Sequence, residues 1–236
     1  MKISLIGMIY KSVEYFTSMS QELKRTCTDS KYDVDYLIIA NDPVVEVTKV
    51  LDDKCVVYND PKPNDYYLNR VYRAWNYGGR LVSADVIVFV NSDMIFYDNW
   101  LDNLLEHLDD NTIPCCKLVE SGKLIPGKHA VDKNFGTSID SLDLDGFKNF
   151  AKSISHPGIS TGGLFMPCAF YKKDFVLSGG YPEGNVYEKG VGINTSKFLE
   201  SGDHYFFYKN SVMKNKDHIT VNNSICYHIQ EGEKDA

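Results

Sequence analysis

Hydrophobic residues fall along this chain in two alternating textures. Short unbroken apolar runs, rich in β-branched residues, alternate with longer stretches whose apolar residues recur at helical spacing. Lys2 to Ile9 (KISLIGMI), Tyr36 to Ala40 (YLIIA), Cys55 to Tyr58 and Val86 to Val90 (VIVFV) are of the first kind. Short continuous apolar runs are the pattern of strands buried on both faces of a parallel sheet. Between them, Phe16, Met19 and Leu23 form a helical stripe behind Ser12, a residue suited to cap a helix. Leu68, Val71, Tyr72 and Trp75 form another at i, i+3, i+4, i+7, which Gly78-Gly79 is expected to end or bend. Leu101, Leu104, Leu105 and Leu108 form a third, with Asp98 or Asn99 as its cap. Strand–helix alternation of this kind predicts an α/β fold: a Rossmann-like, doubly wound, mostly parallel sheet with helices on both faces.

The second half is less regular. Ile113 to Val119, Leu164 to Tyr171 and Ile225 to Ile229 read as further strands, and Phe147, Phe150, Ala151 and Ile154 as a helical stripe closed by His156-Pro157-Gly158. Glu120 to Asp140 is rich in Gly, Lys, Asp and Ser, and reads as a long loop of the kind that often binds or covers a ligand. No repeat, low-complexity tract or clear linker interrupts the chain, so a single domain over residues 1–236 is expected.

Composition narrows the partners. The 236 residues, 43% hydrophobic and 24% charged, suit one sizeable globular domain. A net charge of −7 without a long basic run argues against a protein that grips nucleic acid phosphates, and makes a nucleic acid acceptor unlikely. None of the six cysteines forms a Cys-x-x-Cys pair, so a zinc knuckle is not expected, and the apolar surroundings of Cys55, Cys115, Cys116, Cys168 and Cys226 suggest buried free thiols. The apolar stretch after Lys2 is too short for a signal peptide, and no segment approaches the ~20 apolar residues that span a bilayer. A reducing, cytoplasmic location is the expectation.

Chemistry enters where the Val86–Val90 run breaks into Asn91-Ser92-Asp93. In open α/β sheets, ligands bind at the carboxyl ends of the strands. A carboxylate there can hold a hard divalent cation, and the cation a diphosphate.

This run resembles the Asp-X-Asp strand of the family 2 glycosyltransferases with the GT-A fold, Asn91 standing in place of the first Asp. Other positions match in order. Tyr10 follows the first strand and Asp42 ends the second, where the family places nucleotide contacts. Trp75-Asn76-Tyr77-Gly78 lies where the family carries Arg-Asn-x-Gly; Trp75 replaces the Arg, and Arg73 or Arg70, neither in register, is left to supply the charge. Gly179-Gly180-Tyr181-Pro182-Glu183 matches a family turn whose glycines permit close backbone approach to a ligand. Glu200 to Phe206 resembles the segment holding the general base of inverting members, with Asp203 in register and Glu200 as fallback.

The resemblance spans Lys2 to His228 and implies a nucleotide-binding half at 1–110 and an acceptor-binding, catalytic half at 111–236. It further implies a metal-dependent inverting glycosyltransferase with a nucleotide-sugar donor, UDP-linked because uridine is the commonest donor base in the family, and a glycan or other hydroxyl acceptor. Asp203 would be catalytic. Tyr10, Asp42, Arg73, Asn76, Asn91, Ser92, Asp93 and Gly180 would contact the donor. Asp93 and His228 would hold Mn²⁺ or Mg²⁺, His228 because some members complete the metal site with a C-terminal His. For Asp203 alone a helix cap is the simpler reading, and for His228 a structural role. Two rival classes stay open. Asn91 and Trp75 favour a non-catalytic sugar-nucleotide or glycan-binding module on a decayed scaffold. A nucleotidyltransferase would share the sheet and the metal, but Gly7 to Lys11 lacks the glycine-rich basic loop expected of one.

Overall fold

The computed structural model describes residues 1–235. In chain order its elements are β1 (Lys2–Ile9), α1 (Val13–Asp29), β2 (Asp33–Asn41), α2 (Val45–Thr48), β3 (Cys55–Tyr58), α3 (Tyr67–Leu81), β4 (Val86–Val90), β5 (Met94–Phe96) and α4 (Trp100–Leu105). Then come β6 (Thr112–Glu120), β7 (Val131–Asp132), α5 (Leu144–Ile154), β8 (Ile159–Thr161), β9 (Ala169–Tyr171), α6 (Lys172–Ser178), β10 (Val186–Tyr187), β11 (Gly190–Val191) and β12 (Phe198–Glu200). The chain closes with α7 (Gly202–Tyr208), β13 (Asp217–His228) and α8 (Gly232–Asp235).

The apolar runs form a five-stranded sheet in the order β3-β2-β1-β4-β9. Its first four strands are parallel, and β9 runs antiparallel to β4. The chain winds from β1 outward to β2 and β3, then crosses to β4 on the other side of β1. That reversal makes a switch point between β1 and β4, where loops diverge and leave a crevice for ligand. Asn91, Ser92 and Asp93 follow β4 at this point, and Tyr10 follows β1.

A second sheet, in the order β5-β13-β6-β7 with β8 also on β13, stacks the later strands. The Ile225–Ile229 run proves to be the end of the twelve-residue β13, parallel to β6 and antiparallel to β5. β5, too short to show a period of its own, pairs Met94 with His228. This pairing carries the chain from the first sheet into the second immediately after Asp93. One hydrophobic cluster runs through both sheets, from Ile6, Ile39 and Phe89 to Leu104, Val119 and Ile225.

Four boundaries differ from the sequence expectation. Gly78-Gly79 does not end α3, which continues to Leu81. A Cβ on Gly78 would lie 2.9 Å from Ile6 and Ile39, and one on Gly79 would lie 2.5 Å from Phe175. The glycines are there to seat the helix against its neighbours. Ser12 caps α1 as expected, accepting from the Tyr15 N–H, whereas Asn99 precedes α4 in the left-handed region (φ 56°) and makes no side-chain cap bond. Of Leu164 to Tyr171 only the last three residues are strand. The 120–140 stretch is a loop except for β7, which pairs with the end of β6.

Candidate active site

A cavity of about 170 Å³ opens at the carboxyl end of β4, between the two sheets. Asn91, Trp75, Glu120, Asp203 and His228 line it, together with the Leu164–Met166 segment. Strands from both sheets are needed to build it: β4 delivers Asn91, β6 ends on Glu120, and β13 ends on His228.

Asp93 lies buried just behind Asn91. His228 Nε2 is 3.5 Å from Asp93 Oδ1, and His228 Nδ1 is 3.3 Å from Glu120 Oε1. One imidazole is thus held between two carboxylates. Burial alone would lower its pKa, but Asp93 first and Glu120 second outweigh burial and push it up to about 10. Burial raises the Asp93 carboxyl; His228 and the Gly232 N–H overcome that and hold it below the usual carboxylate range. The Gly232 N–H donates to Asp93 Oδ2 at 3.2 Å. Beside this pair, Glu233 accepts from the backbone N–H groups of Tyr10 and Ser12, so the C-terminal turn lies against the β1–α1 loop.

Asp203 is the second residue of α7, in its first turn. The cap is Ser201, whose hydroxyl accepts from the His204 N–H. Capping therefore does not engage the Asp203 carboxylate. Its Oδ1 is enclosed and has no hydrogen-bond partner among the described residues. Burial pushes the carboxyl up to about 6, with the Tyr72 hydroxyl pulling the other way. The fallback, Glu200, is engaged 2.8 Å from His204 Nδ1 and does not line the cavity.

The other predicted residues divide sharply. Ser92 is buried beside Asp93. Tyr10 and Asp42 sit at neighbouring strand ends: the Val44 N–H donates to the Tyr10 carbonyl, and Asp42 pairs with Arg70 at 2.6 Å. Arg73 does not reach the cavity. Its guanidinium clasps Asp60, whose side chain is fully enclosed, at 2.9–3.1 Å, and Asp65 at 3.0 Å. A buried carboxylate needs such a partner, and this need fixes Arg73 away from the strand-end tripeptide. Asn76 and Gly180 hold each other's segments. Asn76 donates to the Tyr181 carbonyl and accepts from the Tyr181 N–H, both at 2.8 Å. A Cβ on Gly180 (φ 86°) would lie 2.3 Å from Asn76 Oδ1. These two residues clamp α3 to the Gly180–Tyr181 turn, and neither lines the cavity.

Among the cavity residues that are not site candidates in the sequence, two carry polar groups. Glu120 opens the long loop read as a candidate ligand-binding stretch, but only the β6–β13 pairing, which sets Glu120 opposite His228, singles it out. Trp75 marks a departure from the family pattern, yet it lines the cavity and its buried Nε1 has no partner among the described residues.

A Rossmann-like sheet with a cavity at its switch point and a carboxylate at the end of the central strand is the architecture of the GT-A fold. The sequence profile of Glycosyl transferase family 2 matches residues 23–174. The chain belongs to that family. No curated protein sequence matches it. Among solved structures it is similar to S. aureus TarS 1-349, with TM-score 0.56 and 11% identity over 97% of this chain. The same protein in complex with UDP gives TM-score 0.55 and 11% identity over 96%. The chain spans 60% of the length of each. No helix among the described residues is long and apolar enough to cross a membrane.

Proposed function

We propose that the chain transfers a sugar from a nucleotide-sugar, UDP-linked by the lead of the UDP-bound TarS structure, to an acceptor hydroxyl with inversion. The observation that carries this reading is the enclosed Asp203 carboxylate, whose Oδ1 has no hydrogen-bond partner among the described residues, in one cavity with Asn91 and His228. Asp203 takes the proton of the acceptor hydroxyl as that oxygen attacks the anomeric carbon. The bond to the nucleotide diphosphate breaks on the opposite face. A carboxyl raised to about 6 is a stronger base than an ordinary Asp and is still ionised at neutral pH.

Asp93 and His228 fit a divalent ion. Nε2 faces Asp93 while Nδ1 is oriented by Glu120, the carboxylate–histidine arrangement that holds a metal-binding imidazole in place. Mn²⁺ or Mg²⁺ bound there would neutralise charge on the leaving diphosphate. Imidazole as a ligand favours Mn²⁺. Two protein ligands give weak binding alone, so ion and nucleotide bind together. Asn91, a neutral amide, contacts the donor's ribose or sugar.

Calorimetry of UDP binding tests this. UDP is expected to bind more tightly with Mn²⁺ than with a chelator, and Asp93→Ala to abolish the difference. Equal affinity in both conditions would refute the metal role. Release or transfer of sugar from a UDP-sugar separates an enzyme from a binding module.

A further inference from the structure

Away from the cavity's carboxylates, three side chains with soft donor atoms converge in the interior. Cys115 on β6, Cys168 just before β9 and His218 on β13 are all buried, and their Sγ and ring-nitrogen atoms lie within 4.8 Å of one another. They come from positions 115, 168 and 218, so no local motif announces them.

The geometry around them is that of a metal site. Cys168 Sγ is 3.7 Å from His218 Nε2. Zn–S bonds of about 2.3 Å and Zn–N bonds of about 2.0–2.1 Å at a tetrahedral angle place sulfur and nitrogen about 3.6 Å apart. The Leu164 carbonyl turns into the same space, 3.1 Å from Nε2 and 3.2 Å from Cys168 Sγ, and offers a fourth donor. On the far side of the ring, Nδ1 lies 2.8 Å from the Tyr208 hydroxyl, which fixes the imidazole with Nε2 turned inward. Gly163 closes the site: a Cβ there would lie 2.1 Å from Cys115 Sγ, so only glycine leaves the sulfur its place. Phe165 and Phe207 stack on His218 and keep the surroundings apolar.

We propose that Cys115, Cys168 and His218, with the Leu164 carbonyl, bind one structural Zn²⁺. The choice of ion follows from charge and hardness. Two thiolates, a neutral imidazole and a carbonyl around a dication sum to zero, as an apolar interior requires. A monovalent soft ion would leave a buried negative charge. Hard Mn²⁺ or Mg²⁺ would not favour thiolate. The site ties the Leu164–Cys168 segment to β6 and β13. That segment supplies Leu164, Phe165 and Met166 to the cavity wall, so the ion would hold the wall in shape.

The test is metal content, which does not depend on sugar transfer or on the Asp93–His228 pair. Full-length protein from zinc-supplemented cells is expected to carry one Zn²⁺ by native mass spectrometry, retained through dialysis against EDTA and released by a mercurial that modifies thiols. Replacement by Co²⁺ is expected to give thiolate-to-cobalt charge-transfer absorption, which an Asp/His site cannot produce. Cys168→Ser should reduce this band by at least about half, leaving at most the Cys115 thiolate, and Cys27→Ser should keep it in full. Where Cys168→Ser does not fold, the wild-type measurements decide alone. Protein purified without zinc that takes up Co²⁺ with no charge-transfer band overturns the proposal. So does wild-type protein lighter by two hydrogens, with Cys115 and Cys168 joined as a disulfide.

Discussion

Single residues carry the chemistry, and burial sets their properties. Asp203 is expected to be the base, so Asp203→Asn should retain UDP binding and lose transfer by ~10²–10⁴-fold. Normal transfer by this variant would move the base elsewhere. Because burial raises this carboxyl to about 6, kcat/KM should fall below about pH 6 as the group takes up a proton. The same shift affects stability. An acid whose folded pKa lies above its unfolded value favours the folded state fully at pH below about 4 and loses that contribution as pH rises through about 6. A shift of about two units corresponds to about 1–3 kcal/mol. Asp203→Asn should therefore stabilise the protein by that order at pH 8 and by little at pH 4, as urea titrations at the two pH values would show. His228 works in the opposite chemical sense. Held protonated between Asp93 and Glu120, it must lose its proton to take a metal. Mn²⁺–UDP binding should release about one proton, read as a buffer-dependent calorimetric enthalpy. Enthalpies equal in buffers of different ionisation heat would exclude His228 as a ligand. At position 91, Asn91→Asp should tighten metal binding or leave it unchanged, since carboxylate is the better ligand for a hard cation; weaker binding would show that the amide oxygen is a ligand.

At the scale of elements, contacts between distant segments decide what each motif does. Asn76 on α3 and the Gly180–Tyr181 turn are read from sequence as ligand contacts, yet they are bound to each other. Asn76→Ala leaves the Tyr181 N–H and carbonyl buried without partners, which should cost about 2–4 kcal/mol. A lower urea midpoint with UDP affinity intact is the expected result. A variant with unchanged stability and weaker UDP binding would return Asn76 to the donor site. The strands are legible from short apolar runs because a parallel sheet buries both faces. Both Lys2–Ile9 and Val86–Val90 emerge with the expected bounds. The glycine pair in α3 is not legible as packing, because its cause is Ile6, Ile39 and Phe175 from other elements.

For the molecule as a whole, one apolar cluster joins the two sheets. The two tryptophans stand at different ends of it: Trp75 packs against Phe89 and Tyr181, while Trp100 stacks on Phe96. Variants retaining only one tryptophan should each unfold in urea with fluorescence and far-UV circular dichroism midpoints that coincide, the mark of a single cooperative unit. Separate midpoints for the Trp75 and Trp100 reporters would divide the chain into two.

Features that repeat locally are legible in the chain alone. Hydrophobic period gives the strand–helix alternation, the break at Asn91-Ser92-Asp93 points to the functional edge, and the ordered motifs give the family. Tertiary structure alone decided which polar groups share a cavity. Asp93, Glu120 and His228 are far apart in sequence, and β13 brings them together by pairing with β5 and β6 at once. The same strand places His218 beside Cys115 and Cys168. Arg73, by contrast, is drawn to Asp60 because a buried carboxylate needs a counter-charge. Such choices depend on distance and desolvation in three dimensions, neither of which local spacing along the chain records.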